Sequence, residues 1–152
     1  MRTRGITLIE ILVTITILLI VASIVVGSFR SVTSTYELKR VTNTVATMIE
    51  EARSYSISSK NGSKYSIRVE PTRVIRYEGT IYNSSDVNNY VFDLGSNIIV
   101  ASSSFVGGTT TVTFEKITGK TYNYGSINFA MSGATTSSST ISINKTGIIT
   151  VR

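Results

Sequence analysis

GITLIEILVTITILLIVASIVV, residues 5–26, is a glycine followed by an apolar run that carries one carboxylate, Glu10. Residues 6–26 are 21 positions interrupted only by Thr7, Glu10, Thr14, Thr16 and Ser23. Hydroxyl side chains bond back to carbonyls one turn earlier, so these residues are compatible with an apolar helix. At 1.5 Å of rise per residue the run reaches about 32 Å, enough for a hydrocarbon core of about 30 Å. A carboxylate in such a span costs about 2.5–3.5 kcal/mol at the helix centre and less near an end, and it is normally kept only for a partner.

Charge around the run gives it a direction. Arg2 and Arg4 precede it, and Arg30, Lys39 and Arg40 follow. The two arginines of the leader favour a cytoplasmic start and an outward body under the positive-inside rule. A cleaved secretory signal is a poor fit, because its apolar region is usually 7–15 residues and ends at a small-x-small site. Ala22-Ser23 and Val26-Gly27-Ser28 match that site weakly. A generic single-pass anchor accounts for the length of the run and leaves Glu10 unexplained.

Gly5-Ile6-Thr7-Leu8-Ile9-Glu10, behind a basic leader and ahead of a span of this length, resembles the prepilin signature of the type IV pilin and type II secretion pseudopilin superfamily. The resemblance implies that a membrane peptidase cuts between Gly5 and Ile6 and methylates the new amino terminus at Ile6. Glu10 then becomes the fifth residue of the mature chain. Ile6 departs from the usual phenylalanine or methionine, which bears on cleavage efficiency. Methylation keeps the charge of the amine. In a filament whose helices pack in a water-poor core, Glu10 of one subunit would neutralise the Ile6 terminus of its neighbour. Removing one member of such a buried pair costs about 3–5 kcal/mol. The alternative is a carboxylate that snorkels to the interface or is protonated in lipid.

Beyond the span, Leu38, Val41, Val45, Met48, Ala52 and Tyr55 recur at helical spacing, with Glu37, Lys39, Arg40, Asn43, Glu50 and Arg53 between them. This is one apolar stripe on an otherwise wet helix. The pattern predicts a continuous or once-bent helix from about Ile6 to about Ser58. Gly27-Ser28 is its weakest point, since glycine costs about 1 kcal/mol relative to alanine in a helix. Many pilins carry a helix-breaking proline there, so any kink here is milder.

Lys60-Asn61-Gly62-Ser63 is a turn signal, after which the texture becomes β-branched and alternating. Residues 64–69, 73–77, 90–94, 98–101, 110–114, 127–129, 140–143 and 148–151 read as strands between glycine, asparagine and serine clusters. Asn144-Lys145-Thr146-Gly147 reads as a hairpin loop, and the sole proline, Pro71, marks an edge or a break. The order of elements again resembles pilins. Ala52-Arg53-Ser54-Tyr55-Ser56-Ile57 at the helix end, with Phe129, Gly133 and Gly147 near the close of the sheet, resembles the minor-pilin branch typified by the secretion protein GspH and the pilus protein FimT.

Composition excludes several chemistries. The chain has no cysteine and no histidine, so it lacks disulfides, thiol chemistry and the commonest general base and metal ligand. The hydroxyls of residues 102–104 and 135–140 therefore read as solvated loops or edge strands rather than nucleophiles. Asp86, Asn88, Asn89 and Asp93 lack the spacing of a calcium loop and read as a polar turn, and no metal ligand set is assigned. Glu50 and Glu51 lie about 100° apart on the helix and do not make a paired acid site. Gly107-Gly108 opens no helix and makes no phosphate cradle. Three triplets, at Asn61, Asn83 and Asn144, fit the glycosylation pattern, which recurs by chance among so many hydroxyl residues.

The chain holds 15 basic and 9 acidic residues, a formal +6; losing Arg2 and Arg4 with the leader leaves 13 against 9, or +4. Arg68, Arg73 and Arg76 lie close in sequence, and Lys145 and Arg152 mark the terminal hairpin. They read either as a solvated basic surface or as contacts to the phosphates of DNA.

The expected protein is α+β and pilin-like, a long N-terminal helix with a membrane-spanning first half, packed on an antiparallel β-sheet head. Its expected parts are a leader (1–5), an assembly half-helix (6–27), an amphipathic half-helix (28–59) and the head (60–152). The resemblance implies a structural subunit rather than an enzyme, with no cofactor. Its implied setting is the cytoplasmic membrane with the head outside, and then a filament of a pilus, secretion or competence system. Its implied partners are other pilin or pseudopilin subunits, the prepilin peptidase and methyltransferase, an assembly platform and ATPase, and the membrane. A DNA-uptake receptor on the same scaffold is the competing reading.

Overall fold

A computed structural model describes residues 7–132 and 137–152, with the backbone alone over residues 25–32. Gly5 and Ile6, the expected processing pair, lie outside the described residues, as does Gly133. The chain divides into two compact units, Met1–Tyr36 and Glu37–Arg152. One helix, α1 (Leu8–Ile57), contributes its first part to one unit and its last part to the other.

Over residues 8–24, in the first unit, the helix carries apolar side chains on every side. Its large side chains over residues 8–24 are exposed, from Val13 at 48% to Leu8 at 86%. Thr14, Thr16 and Ser23 donate their hydroxyls to the carbonyls of Ile11, Leu12 and Ile20, as expected for polar residues in an apolar helix. Among the described residues no helix is long and apolar enough to cross a membrane. The expected span, residues 6–26, runs past the described side chains at both ends.

In the second unit α1 presents a buried face. Leu38, Val41, Val45, Met48 and Ala52 are buried as the stripe predicts, and Tyr55 packs on the same core. The face is wider than the stripe, because Thr42, Ala46, Ile49 and Ser56 are buried too. Two sheets share this helix, and their core residues form one cluster with it. The Thr42 hydroxyl is satisfied by the Leu38 carbonyl at 2.8 Å. The helix closes with Ser58 and Ser59 donating backbone N–H to the carbonyls of Ser54 and Ser56, and Ser59 turns left-handed at φ 49. The end lies within a residue of the expected Ser58.

All eight expected strands form: β1 (Tyr65–Val69), β2 (Arg73–Glu78), β3 (Tyr90–Asp93), β4 (Ile98–Phe105), β5 (Thr111–Phe114), β6 (Gly125–Met131), β7 (Ser138–Ile143) and β8 (Ile149–Val151). They make two antiparallel four-stranded sheets, ordered β3-β2-β1-β5 and β4-β6-β7-β8. Ile67, Val74, Val112 and Phe114 of the first sheet and Ile98, Ile127, Phe129 and Ile141 of the second are buried in the common core.

Ser102, Ser103 and Ser104 are exposed in β4, an edge strand of the expected kind, which runs past the expected residue 101. Ser138, Ser139 and Thr140, expected as solvated loop or edge, belong to β7, an interior strand between β6 and β8. A ladder is held by backbone groups, so hydroxyl residues continue it when their neighbours pair. Pro71 falls in the turn between β1 and β2, and its carbonyl accepts the Val100 N–H at 2.9 Å.

Candidate functional site

Glu10 stands in the first turn of α1 and is exposed. Its backbone N–H donates to the Thr7 hydroxyl at 3.3 Å and to the Thr7 carbonyl at 3.1 Å. Thr7-x-x-Glu10 is thus one half of a capping box, a signal present in the sequence and overlooked in reading the acid only as an intermolecular partner. A carboxylate in this turn is favoured by the helix dipole, by about 0.3–1 kcal/mol. That local benefit is smaller than the cost of an acid placed in lipid. No salt bridge reaches Glu10 among the described residues.

The five basic residues grouped by sequence do not form one surface. Strand register puts Arg68 opposite Ile75 and Arg73 opposite Asp93, on the face of the first sheet turned away from α1. Both bind the same acid, with Arg68 Nε 2.9 Å from Glu70 Oε1 and Arg73 Nε 2.7 Å from Glu70 Oε2. The Arg73 hydrogen bond first, and then that of Arg68, hold the Glu70 carboxyl below its usual range, with burial opposing them. Arg76 lies opposite Ile67 on the other face, toward the helix. There it pairs with Glu51 and lies 5.0 Å from the Tyr55 ring and 4.9 Å from the Tyr90 ring. Arg76 therefore ties α1 to the sheet. Lys145 occupies the β7–β8 hairpin loop, and Arg152 follows β8, exchanging backbone hydrogen bonds with Thr140 at 2.9 Å.

A second carboxylate, Glu78, is also held low, first by a hydrogen bond from Ser63 and then by one from Asn61, with burial opposing. Asn61 Nδ2 lies 3.0 Å from Glu78 Oε2, so this turn is closed on its own groups. The Asp86 segment behaves likewise. Asp86 Oδ1 accepts the Asn88 N–H at 2.9 Å, a polar turn of the expected kind.

The helix end meets two loops closely. Gly147, at φ 77 in the β7–β8 hairpin, lies so near the loop before β6 that an added Cβ would sit 2.0 Å from the Gly119 carbonyl oxygen. Asn144 Oδ1 accepts the Ile148 N–H at 2.9 Å and closes the hairpin as the sequence suggested. Arg53 lies against Gly147, and its Nη2 donates to the Thr146 carbonyl at a long 3.5 Å. The alanine-arginine segment and the last glycine, far apart in sequence, are neighbours here.

Comparison with known proteins agrees with this geometry at both ends of the chain. Residues 1–26 match the family model described as the prokaryotic N-terminal methylation motif. Two crystal forms of the type IV minor pilin FimU of Pseudomonas aeruginosa (strain PAO1) are similar in structure. One has a TM-score of 0.56 at 17% identity, over 76% of this chain and 92% of that one. The other has a TM-score of 0.58 at 15% identity, over 77% and 89%. No curated protein matches the chain. The start of the chain thus carries a prokaryotic N-terminal methylation motif, and its fold is similar to that of FimU.

Proposed function

We propose that this chain is a structural subunit, of the minor-pilin kind, in a type IV pilus or a related filament. The observation that carries the reading is the uncovered apolar helix of residues 8–24, whose large side chains are at least 48% exposed, within a methylation motif that spans residues 1–26. Burying one such side chain yields about 1.5–3 kcal/mol, so a stem of this kind is stable only in lipid or against other stems. The unprocessed chain is held in the cytoplasmic membrane by the run of residues 6–26, with the head outward. The peptidase releases the leader after Gly5 and methylates Ile6. Glu10 then answers the charged terminus of an adjoining copy or of another pilin subunit, and a platform and ATPase drive assembly. The subunit acts by assembling rather than by catalysis.

Mass spectrometry of the protein from its native membrane tests the processing step. The expected mature chain begins at Ile6 with one added methyl group. A chain that begins at Met1, or near Ser28, rejects the proposal.

DNA uptake through Arg68, Arg73 and Arg76 draws no support from their geometry. Each is engaged by a glutamate, and the three are divided between two sheet faces.

A further inference from the structure

A groove of about 300 Å³ opens between the loop before β6 and the β7–β8 hairpin, lined by Lys120, Thr121, Tyr122, Tyr124, Lys145 and Thr146. Its walls are largely apolar and its only charged lining groups are two ammonium groups. Neither lysine is in a salt bridge among the described residues, in contrast to Arg68, Arg73, Arg76 and Lys64. The two loops are pinned together, since the Thr121 N–H donates to the Lys145 carbonyl at 3.1 Å and Gly147 packs on Gly119. Tyr122 is 77% exposed, and Lys145 Nζ stands 5.3 Å from the centre of the Tyr124 ring. Aromatic rings present an apolar face with a polar tip, which in a protein surface is a platform for a ring-shaped ligand.

We infer that this groove binds an acidic sugar unit of an anionic polysaccharide, its ring lying on Tyr122 and Tyr124 and its carboxylate meeting Lys120 and Lys145. The volume is at the lower end for small-molecule sites, which suits one or two sugar rings. The two phenols supply hydroxyl partners for sugar hydroxyls, and the Thr146 hydroxyl, which donates to Asn144 Oδ1 at 2.6 Å, keeps acceptor capacity. The count of cations separates this ligand from nucleic acid. Proteins that hold a phosphate backbone firmly make about 6–10 phosphate contacts, whereas two lysines suffice for one carboxylate. The assignment does not depend on filament assembly, because the groove lies wholly within residues 120–146.

Calorimetric titration of the full chain in detergent micelles with hexagalacturonate tests it. The expected dissociation constant is about 0.1–1 mM, with a neutral galactose oligomer at least about tenfold weaker. Lys120→Gln or Lys145→Gln is expected to weaken binding by about tenfold, as loss of a charge-assisted hydrogen bond does. Tyr122→Ala, at an exposed position that leaves the core intact, is expected to weaken it by about fivefold. Absence of heat up to 10 times the upper expected concentration, about 10 mM, overturns the inference. So does equal binding of the neutral oligomer, or unchanged binding in all three variants with native circular dichroism. Tighter binding of a thymidine 16-mer, with a salt slope steeper than the roughly −1.4 that two phosphate contacts give, reassigns the groove to nucleic acid.

Discussion

Glu70 shows how much a single residue alters the reading of its neighbours. Arg68, Arg73 and Arg76 lie close in sequence, and the acid between them takes up the two that share a face, while strand alternation turns the third toward α1. The presence of Glu70 was legible; its position between the two guanidinium groups depended on the β1–β2 turn. Its folded pKa is lowered, so its contribution to stability is complete above the unfolded value of about 4.3 and is lost as pH falls through the lowered value. Arg73 is 45% exposed and the pair is screened by solvent, so the effect is small. Glu70→Gln is therefore expected to flatten the acid limb of a urea-unfolding stability profile below about pH 4.3, losing its deficit against the parent as the parent titrates. Identical acid limbs for the two chains, with a deficit that persists to the lowest pH, would show that Glu70 acts through packing and not through charge. Glu10 teaches the reverse lesson. Its capping geometry with Thr7 is local and could have been read directly from four residues.

At the scale of elements, α1 and the strands were legible because their periods are set within a few residues. Spacing of three and four along residues 38–55 fixed the buried face of the helix, and short β-branched runs marked the strands. The helix face proved wider and β4 and β6 longer, since a second sheet adds burial that no local pattern contains. Ser56 illustrates the joint between elements. It is fully buried, and its hydroxyl accepts the Tyr65 N–H at 2.8 Å, which anchors the start of β1 to the end of α1. Ser56→Ala leaves that donor without its acceptor, at an expected cost of about 1–3 kcal/mol in the stability of the head. Chemical denaturation of both chains under the same conditions measures it; a loss under 0.5 kcal/mol would mean that water or another oxygen replaces the hydroxyl.

For the whole molecule, the division into two units puts Glu10 in one and the buried core in the other. Glu10→Ala is expected to leave denaturation of the head within about 0.5 kcal/mol of the parent, as a surface change does. Its incorporation into sheared filaments is expected to fall by two orders of magnitude or more, from loss of a pair worth about 3–5 kcal/mol. Equal incorporation of the variant and parent, assayed by immunoblot of the sheared fraction, would remove Glu10 from the assembly mechanism. The apolar stem with its acid, the amphipathic continuation and the succession of strands were determined by the sequence alone, because charge, hydropathy and turn chemistry act over short distances along the chain. Only the tertiary structure decided that the strands divide into two sheets on one helix. It also decided that Arg76 faces away from Arg68 and Arg73, that Arg53 meets Gly147, and that Lys120, Tyr122, Tyr124 and Lys145 enclose a groove. Register and sheet partnership are set by burial summed over residues distant in sequence, and that sum exists only once the chain has folded.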